Sequence, residues 1–376
     1  MRAFTSVLFT TLLLISAVGS AQDIAEPFKV GTFEINGSPQ VGIVLRDSLI
    51  IELDAANAVL ERQASYPAIP SPADMVELIE RYDYGLKRRL YEIVNEHIAM
   101  LGNDRPDYVH DVEDVRTLPP IMYPGKILNA AVNFYSHVDE SGTPEERREV
   151  ARQRRESRGV PYLFLKPSRG AVVGNGAEIV IPYGRNRTDW EVELGAVVGR
   201  TAKYVPANDA EDYIFGYMVT MDISDRGGRP PGGARFTSDW FVGKGHDTFA
   251  PQGPWIVPKE FYGNPMEILR QSLSVGDEQM QEATAGDMIH SLWELVEYGS
   301  SVITLFPGDV INNGTSGGTG AGTAVRGAQR FLQPGEEVTA TIEGIGTLRL
   351  PVVGEEKPPG LTGANLPPVD SYRDPL

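Results

Sequence analysis

The fold is decided by one stretch, Thr188-Asp189-Trp190-Glu191-Val192-Glu193-Leu194-Gly195-Ala196-Val197-Val198-Gly199. Its second half is apolar and rich in β-branched residues, which predicts a strand that enters a core. Residues i and i+2 of a strand point to the same face. Glu191 and Glu193 should therefore project side by side, with Val192 and Leu194 on the other face.

Two neighbouring carboxylates repel each other, and near a core they also lose solvation. A proton, an arginine or lysine, or a hard divalent cation would neutralise them. A third acid, Asp222, ends the apolar run 213–221. Three carboxylates converging from two strands would suit Mg²⁺, Mn²⁺ or Ca²⁺. The spacing alone also allows an exposed strand face with unrelated acids, because Glu-x-Glu is a common pattern.

Composition limits the class of protein. The chain has 376 residues, of which 41% are hydrophobic and 23% charged, as expected of a globular protein with one or two domains. The net charge of −17 argues against a nucleic-acid partner, because binding phosphates needs a basic surface. The absence of cysteine excludes disulfides and thiolate metal ligands. A small anion bound by so acidic a chain needs a local cation, and a metal would supply one.

Residues 1–21 have the pattern of a secretory signal peptide. Arg2 precedes an apolar run from Val7 to Ile15, and the segment ends with the small residues Gly19-Ser20-Ala21. The apolar run is shorter than the roughly 20 residues that span a bilayer. We therefore expect an exported protein, periplasmic or secreted, without a membrane anchor after cleavage.

The next segment alternates apolar and polar residues over 28–53, and Asn36-Gly37 is typical of a hairpin turn. Ser71 followed by Pro72 predicts a helix start with Ser71 as the cap. The apolar stripe that follows makes His97 a packed helix residue.

Prolines near Leu118-Pro119-Pro120 mark a boundary. We predict a small N-terminal α+β domain over 22–118 and a larger domain over 119–354. Residues 355–376, rich in proline, should form an extended tail.

The larger domain is predicted to be rich in β-strands and turns. The segment from Thr143 to Arg158 is dense in Glu and Arg, which favours a solvated helix or lid. A helix is expected over Ala285 to Tyr298, then a glycine-rich loop over Gly314 to Gly322. The last strands are predicted over Glu337 to Ile342 and Gly346 to Leu350.

Several motifs, in this order and spread over about residues 125–352, resemble the fumarylacetoacetate hydrolase family. They are Asn133-Phe134-Tyr135-Ser136-His137-Val138-Asp139-Glu140, Leu165-Lys166-Pro167, Asp189-Trp190-Glu191-Val192-Glu193-Leu194, Gly216-Tyr217 with Asp222 and Arg226, Gly243-Lys244 with Asp247-Thr248, Gly253-Pro254-Trp255, Gly308-Asp309-Val310-Ile311 and Glu343-Gly344-Ile345-Gly346. The resemblance implies an α+β fold in which a mixed β-roll, usually dimeric, follows a smaller N-terminal domain.

The resemblance also implies roles for single residues. Those carried over as metal ligands are Glu191, Glu193 and Asp222, holding one Mg²⁺ or Mn²⁺ ion, with Ca²⁺ possible. Those carried over as catalytic are His137 and Glu140, which would activate water, and Lys244 beside the metal. Gly314 and Thr315 match a Gly-Thr element that contacts the substrate.

The chemistry expected of such a site begins with a 2-oxo acid that chelates the cation through its carboxylate and keto oxygens. The cation would act as a Lewis acid and stabilise the enolate released when a C–C bond breaks. The expected function is therefore a metal-dependent hydrolase of a 2,4-dioxo acid such as an acylpyruvate or fumarylpyruvate. The alternatives are a hydratase, dehydratase, isomerase or decarboxylase of a 2-oxo acid, and an exported binding protein without activity.

The sequence departs from the family pattern after Asp222. The family often carries Arg-Asp followed by Gln, whereas Arg226 is followed here by two glycines and Arg229. We predict that Arg226 and Arg229 bind substrate, and that Arg229 or Arg235 takes a second carboxylate, because a guanidinium matches that geometry. His246, inside the Gly-Lys motif, is assigned a packing or polar role rather than that of a second base.

Overall fold

The computed structural model describes residues 26–100, 105–138, 140, 143–227, 239–323 and 327–356. The predicted signal peptide, Arg229, Arg235 and nearly all of the predicted tail lie outside these ranges. Within them, no helix combines the length and the hydrophobicity needed to cross a membrane.

The strands, numbered in chain order, are β1 Lys29–Ile35, β2 Ser38–Leu45, β3 Leu49–Glu52, β4 Val109–Asp111, β5 Arg116–Leu118, β6 Ile127–Ala130, β7 Leu163–Lys166, β8 Val172–Val173, β9 Ile179–Ile181, β10 Thr188–Asp189, β11 Val192–Val198, β12 Ile214–Met221, β13 Ser224–Asp225, β14 Ala250–Pro258, β15 Arg270–Val275, β16 Glu278–Thr284, β17 Val310–Asn312, β18 Glu337–Ile342 and β19 Gly346–Gly354. The helices are α1 Leu53–Glu61, α2 Met75–Arg81, α3 Leu86–Met100, α4 Tyr135–Val138, α5 Pro144–Glu156, α6 Trp240–Lys244, α7 Lys259–Tyr262, α8 Pro265–Ile268 and α9 Leu292–Val302.

The strands of the described residues form three sheets. The largest has the order β4-β3-β2-β1-β14-β12-β11-β17-β6-β7, with β5 paired to β1 and β8 to β14. The second has the order β16-β15-β18-β19-β9, and β10 pairs with β13. Most pairs are antiparallel, whereas the pairs β14 with β8, β17 with β6 and β19 with β9 are parallel. The predicted α+β fold with a mixed, sheet-rich architecture is confirmed.

Alternation along β11 separates the core from the site. Val192, Leu194 and Ala196 belong to the larger hydrophobic cluster, together with residues of the second sheet such as Leu273 and Leu348. Because side chains alternate across a strand, Glu193 points to the opposite face. The apolar face of β11 therefore packs into the core, and the other face carries the acidic side chain of the site.

A second hydrophobic cluster joins the N-terminal segment to the rest of the chain. It contains Phe28 and Leu90 from that segment and Phe215, Met218 and Val310 from the large sheet. In addition, β1 pairs with β14. The sheet thus crosses the boundary expected near residue 119, and the division into two domains stays a prediction.

The structure corrects the start of α2. We expected Ser71 to cap the helix, but the N-cap is Asp74, whose carboxylate accepts a hydrogen bond from Glu77 N at 2.9 Å. The Ser-Pro pair misled the prediction, because aspartate is an equally good cap and stands next to the first helical residue.

The structure also corrects the helix expected over residues 285–298. A 3₁₀ turn occupies Ala285–Asp287, and α9 begins only at Leu292. The reason is a capping box, in which Ser291 and Glu294 each bond to the other's backbone amide.

Several local predictions are confirmed. Asn36 and Gly37 both have positive φ, as their hairpin turn requires. α5 follows Thr143 in an exposed helix with its own capping box. His97 is fully buried in α3, and its Nδ1 lies 2.7 Å from the carbonyl oxygen of Ile93.

Candidate metal centre

Glu191, Glu193 and Asp222 lie together where β11 begins and β12 ends. The two strands are antiparallel with Val192 opposite Met221, so the residues flanking that pair meet. Asp222 N donates to the carbonyl oxygen of Glu191 at 3.0 Å. One carboxylate oxygen of each residue lies within 4.8 Å of the other two, and all three residues are buried. The three acids can thus share one ion.

Two buried lysines approach this acidic triad. Lys244, at the end of α6, donates from Nζ to Glu191 Oε2 at 3.0 Å and to Ser224 Oγ at 2.6 Å, and it also contacts Asp222. Lys166, at the end of β7, contacts Asp222 and donates to the carbonyl oxygen of Ile223 at 2.8 Å. Both ammonium groups offset part of the negative charge of the triad.

These charges act on the protonation of the site. Burial alone would raise the pKa of Glu191, but the charges of Lys244, Arg226 and His137 outweigh it and hold the pKa at about 2. Burial opposes the charge of Lys244, while Asp222 and Glu191 raise its pKa above the ordinary lysine value. Glu191 is therefore ionised and Lys244 charged at neutral pH.

Glu193 differs from its two neighbours. It accepts a hydrogen bond from Asn129 Nδ2 at 3.0 Å, and within the described residues no lysine or arginine forms an ion pair with it. Burial, then the carboxylates of Asp222 and Glu191, raise its pKa well above the ordinary value. A divalent cation beside Glu193 would supply the missing positive charge, so the donor set fits a hard ion bound by oxygen.

Arg226, which we predicted to bind substrate, is engaged with protein carboxylates. Its Nε lies 3.0 Å from Asp189 Oδ2, and its guanidinium also contacts Glu191. These carboxylates raise its pKa further, against the effect of burial. Its substrate role stays a prediction, as does that of Arg229, which lies outside the described residues.

His137 lies in α4 and Glu140 in the turn after it, and the charge of His137 acts on Glu191. His137 Nδ1 lies 3.2 Å from Glu140 Oε2. Glu140 also accepts from Gly318 N and from Thr319 Oγ1, the latter at 3.4 Å. A Cβ at Gly322 would lie 2.2 Å from the Glu140 carboxylate, so this contact requires glycine. The pair is thereby fixed against the glycine-rich loop.

The predicted substrate element Gly314-Thr315 is tied into the fold. Thr315 Oγ1 donates to the carbonyl oxygen of Val192 at 2.9 Å and accepts from Gln281 Nε2 at 2.8 Å. Gly314 has a φ of 85° and lies against the carbonyl oxygen of Ala130. The hydroxyl holds the loop on β11, and the proposed contact with substrate stays a prediction.

His246 lies beside a buried acid. Its Nε2 is 3.6 Å from Asp225 Oδ2, and its ring centroid is 5.0 Å from that of Phe249. Arg185 also forms an ion pair with Asp225. The surroundings are those of a packing and polar contact, as the sequence favoured.

Three residues of the site had no role in the sequence prediction: Lys166, Asn129 and Asp189. Lys166 could have been identified from the sequence, because it is the single charged residue at the end of the apolar run that forms β7. Asn129 lies in β6, and its amide donates to Glu193. Asp189 was quoted only as part of a motif.

Comparison with known proteins relates the chain to one family. The family model for the fumarylacetoacetate (FAA) hydrolase C-terminal matches residues 126–353. The 2,4-didehydro-3-deoxy-L-rhamnonate hydrolase of Sphingomonas sp. (strain SKA58) is 34% identical over 230 residues, which are 61% of this chain and 74% of that protein. Oxaloacetate tautomerase FAHD2A, mitochondrial, of Bos taurus is 30% identical over 298 residues, 79% of this chain and 85% of that one.

A solved structure shares the fold. The maleylpyruvate hydrolase from Sphingobium sp. SYK-6, in complex with manganese (II) ion and pyruvate, superimposes with a TM-score of 0.62 at 24% identity, over 87% of this chain and all of that one. The family model covers more than half of the chain, and the buried acids, the lysine and the histidine–glutamate pair all lie inside its span. The chain therefore belongs to the fumarylacetoacetate hydrolase family, whose members include hydrolases and tautomerases.

Proposed function

We propose that the protein is a divalent-metal-dependent hydrolase that cleaves a C–C bond in a 2,4-dioxo acid of the acylpyruvate class. The observation that carries this proposal is the buried cluster of the acidic triad and Lys244. The hydrogen-bonded His137–Glu140 pair adds support, because the charge of His137 acts on Glu191. A Mg²⁺ or Mn²⁺ ion held by Glu191, Glu193 and Asp222 would polarise the keto and carboxylate oxygens of a 2-oxo acid.

In this proposal His137 and Glu140 activate water. With Nδ1 turned to Glu140, Nε2 is the ring nitrogen left to accept a proton. The water oxygen adds to the C4 carbonyl carbon of the substrate, and the C3–C4 bond then breaks. The products are a carboxylic acid and the enolate of pyruvate, which takes one proton at C3.

Lys244 contributes charge. Because its pKa is raised, the ammonium is present at neutral pH and stabilises negative charge that develops on the substrate oxygens. Its bonds to Glu191 and Ser224 fix its position before the substrate arrives. The name of the Sphingomonas relative, a hydrolase of a 2,4-didehydro acid, supports this choice of substrate class.

The direct test is incubation with acetylpyruvate and with fumarylpyruvate in the presence of Mn²⁺ or Mg²⁺, with pyruvate followed by ¹H NMR. His137→Ala should lower kcat by about 10²- to 10⁴-fold, the usual contribution of general acid–base catalysis. His110→Ala is the control, since that histidine pairs with Glu52 on the strands of the N-terminal segment. If no dioxo acid releases pyruvate with either ion, the proposal is wrong.

A second candidate is keto–enol isomerisation of a 2-oxo acid. The bovine tautomerase aligns with 79% of this chain, more than the family model covers. The His137–Glu140 pair could equally move a proton between carbon and oxygen without water. The loss of the enol absorbance of oxaloacetate measures this reaction, and its acceleration without any hydrolysis of acylpyruvates would favour the tautomerase.

A further inference from the structure

A row of three aromatic rings leads from the acidic triad to the protein surface. The rings, called the aromatic row below, belong to Phe164, Trp240 and Tyr162. Lys244 Nζ lies 5.2 Å from the Phe164 ring centroid. The Trp240 ring follows at 4.6 Å from Phe164, and the Tyr162 ring at 5.6 Å from Trp240.

The inner end of the row faces the site. Phe164 lies opposite Asn129 in the β6–β7 pair, and paired residues of antiparallel strands share a face. Asn129 donates to Glu193, so Phe164 stands on the side of the triad. Trp240 and Lys244 are four residues apart in α6, which places them on one side of the helix.

The outer end of the row is open to solvent. Trp240 is 40% exposed and Tyr162 54% exposed, which is unusual for large rings that already contact one another. A molecule held at the triad by its 2-oxo acid group would extend past Phe164 onto these exposed faces. Ring faces offer apolar area and stacking partners to such a tail, and no charge.

We propose that the aromatic row is the subsite for the acyl group of the substrate, and that this group is apolar and preferably aromatic, as in benzoylpyruvate. The inference rests on the proposed function, since the triad must hold the 2-oxo acid end. It predicts a preference for substrates with an apolar tail. A second carboxylate bound by Arg229 or Arg235 would instead give a preference for diacids, and the affinities of the two kinds of acid can be compared directly.

The test measures binding without turnover. With the Mn²⁺-loaded protein, isothermal titration calorimetry gives Kd for pyruvate, 2-oxoglutarate and phenylpyruvate, which share the chelating end and differ in the tail. We expect phenylpyruvate to bind at least about tenfold more tightly than the other two, the gain typical of one well-stacked ring. Phenylpyruvate should also quench tryptophan fluorescence in the wild type and not in Trp240→Phe.

Variants test whether the aromatic row causes the tighter binding of phenylpyruvate. Trp240→Ala should bring Kd for phenylpyruvate to within about threefold of that for pyruvate. Tyr162→Ala, at a more exposed position, should weaken phenylpyruvate about threefold and leave pyruvate unchanged. Phe241→Ala is the matched control, because Phe241 is the adjacent residue, is 79% exposed and makes no ring contact among the described residues.

Four outcomes would overturn the inference. Equal Kd values for phenylpyruvate and pyruvate, or an equal loss of both in Trp240→Ala, would remove the aromatic subsite while leaving the metal-centred function intact. Tightest binding of 2-oxoglutarate would replace it by a site for a second carboxylate. Absence of binding by all three acids would overturn the proposed function and this inference together.

Discussion

At the scale of single residues, Glu193 is the most informative side chain. A buried carboxylate is costly unless it is paired, and here its described partner is one asparagine amide at 3.0 Å. Glu191 and Asp222 beside it already have lysine partners. Glu193 is therefore the carboxylate of the triad whose charge a divalent cation would neutralise.

Glu193→Gln should therefore separate folding from metal binding. The variant removes a buried charge, so the metal-free protein should be as stable as the wild type or more so. At an Mn²⁺ concentration about 100 times Kd, the wild type should gain about 2.7 kcal/mol of stability, and the variant no measurable amount. Thermal unfolding with and without Mn²⁺ measures both. Glu278→Gln, at an exposed strand position, should behave as the wild type does.

At the scale of elements, Asp189 joins three parts of the site. Its carboxylate accepts from Gly320 N at 2.5 Å and Ala321 N at 3.1 Å in the glycine-rich loop. It also pairs with Arg226, which in turn contacts Glu191 of the acidic triad. The short strand β10 thus positions both the loop and the arginine.

Asp189→Asn should loosen this junction. Replacing one charged acceptor in a buried network should cost about 1–3 kcal/mol in the free energy of unfolding. Hydrogen exchange at Gly320 and Ala321 should become faster, because their acceptor is weakened. Asp277→Asn, in the turn between β15 and β16, is the control. Unchanged exchange in Asp189→Asn would contradict the positioning role.

Helix α3 carries a pH-sensitive contact in the N-terminal segment. His97 Nδ1 donates to Ile93 O at 2.7 Å, and its Nε2 accepts from Tyr108 Oη at 3.1 Å, which fits the neutral imidazole. Burial lowers the pKa of His97. Below about pH 6.5 the unfolded chain takes up a proton that the folded chain resists.

The free energy of unfolding should accordingly fall as the pH drops from about 6.5 through the lower pKa of the folded state. Urea titrations at pH 7.5, 6.5 and 5.5 measure the slope, and His97→Gln should flatten it. His290, whose pKa burial also lowers, contributes to the same slope, so the double variant should be flatter still. An identical slope in wild type and His97→Gln would contradict the assignment.

At the scale of the whole molecule, the N-terminal segment supports the strands that carry the acids. It covers Val197, Phe215 and Met218, and Val197 lies on the same face of β11 as Glu193, four residues farther along the strand. Removal of residues 22–118 should expose this apolar surface and the edge of β14. We expect the shortened chain to aggregate in size-exclusion chromatography; a monodisperse product that still binds Mn²⁺ would show instead that the larger domain folds alone.

We further propose that the protein is exported and that residues 1–21 are removed. The intact mass of the protein recovered from the periplasm or medium should correspond to a chain that begins at Gln22. An uncleaved chain confined to the cytoplasm would refute this. The homodimer implied by the family resemblance also stays a prediction, and sedimentation of the same material tests it.

Much of the site could be predicted because its chemistry is concentrated in short motifs. The pair Glu191 and Glu193 shares a face through strand periodicity, and Asp222 follows an apolar run. The family pattern added Lys244, His137 and Glu140. The starts of helices could be predicted less well, as the N-caps Asp74 and Ser291 show, because several neighbouring residues can cap a helix equally well.

The sequence by itself determined the alternation that buries one face of β11 and places two acids on the other, because side-chain direction in a strand depends only on position. The tertiary structure decided which partners those acids have. Lys166, Asn129 and Arg226 reach them from strands and turns far apart in the chain, and the Trp240 ring reaches Phe164 in the same way. Such contacts depend on the packing of whole elements, which no local pattern encodes.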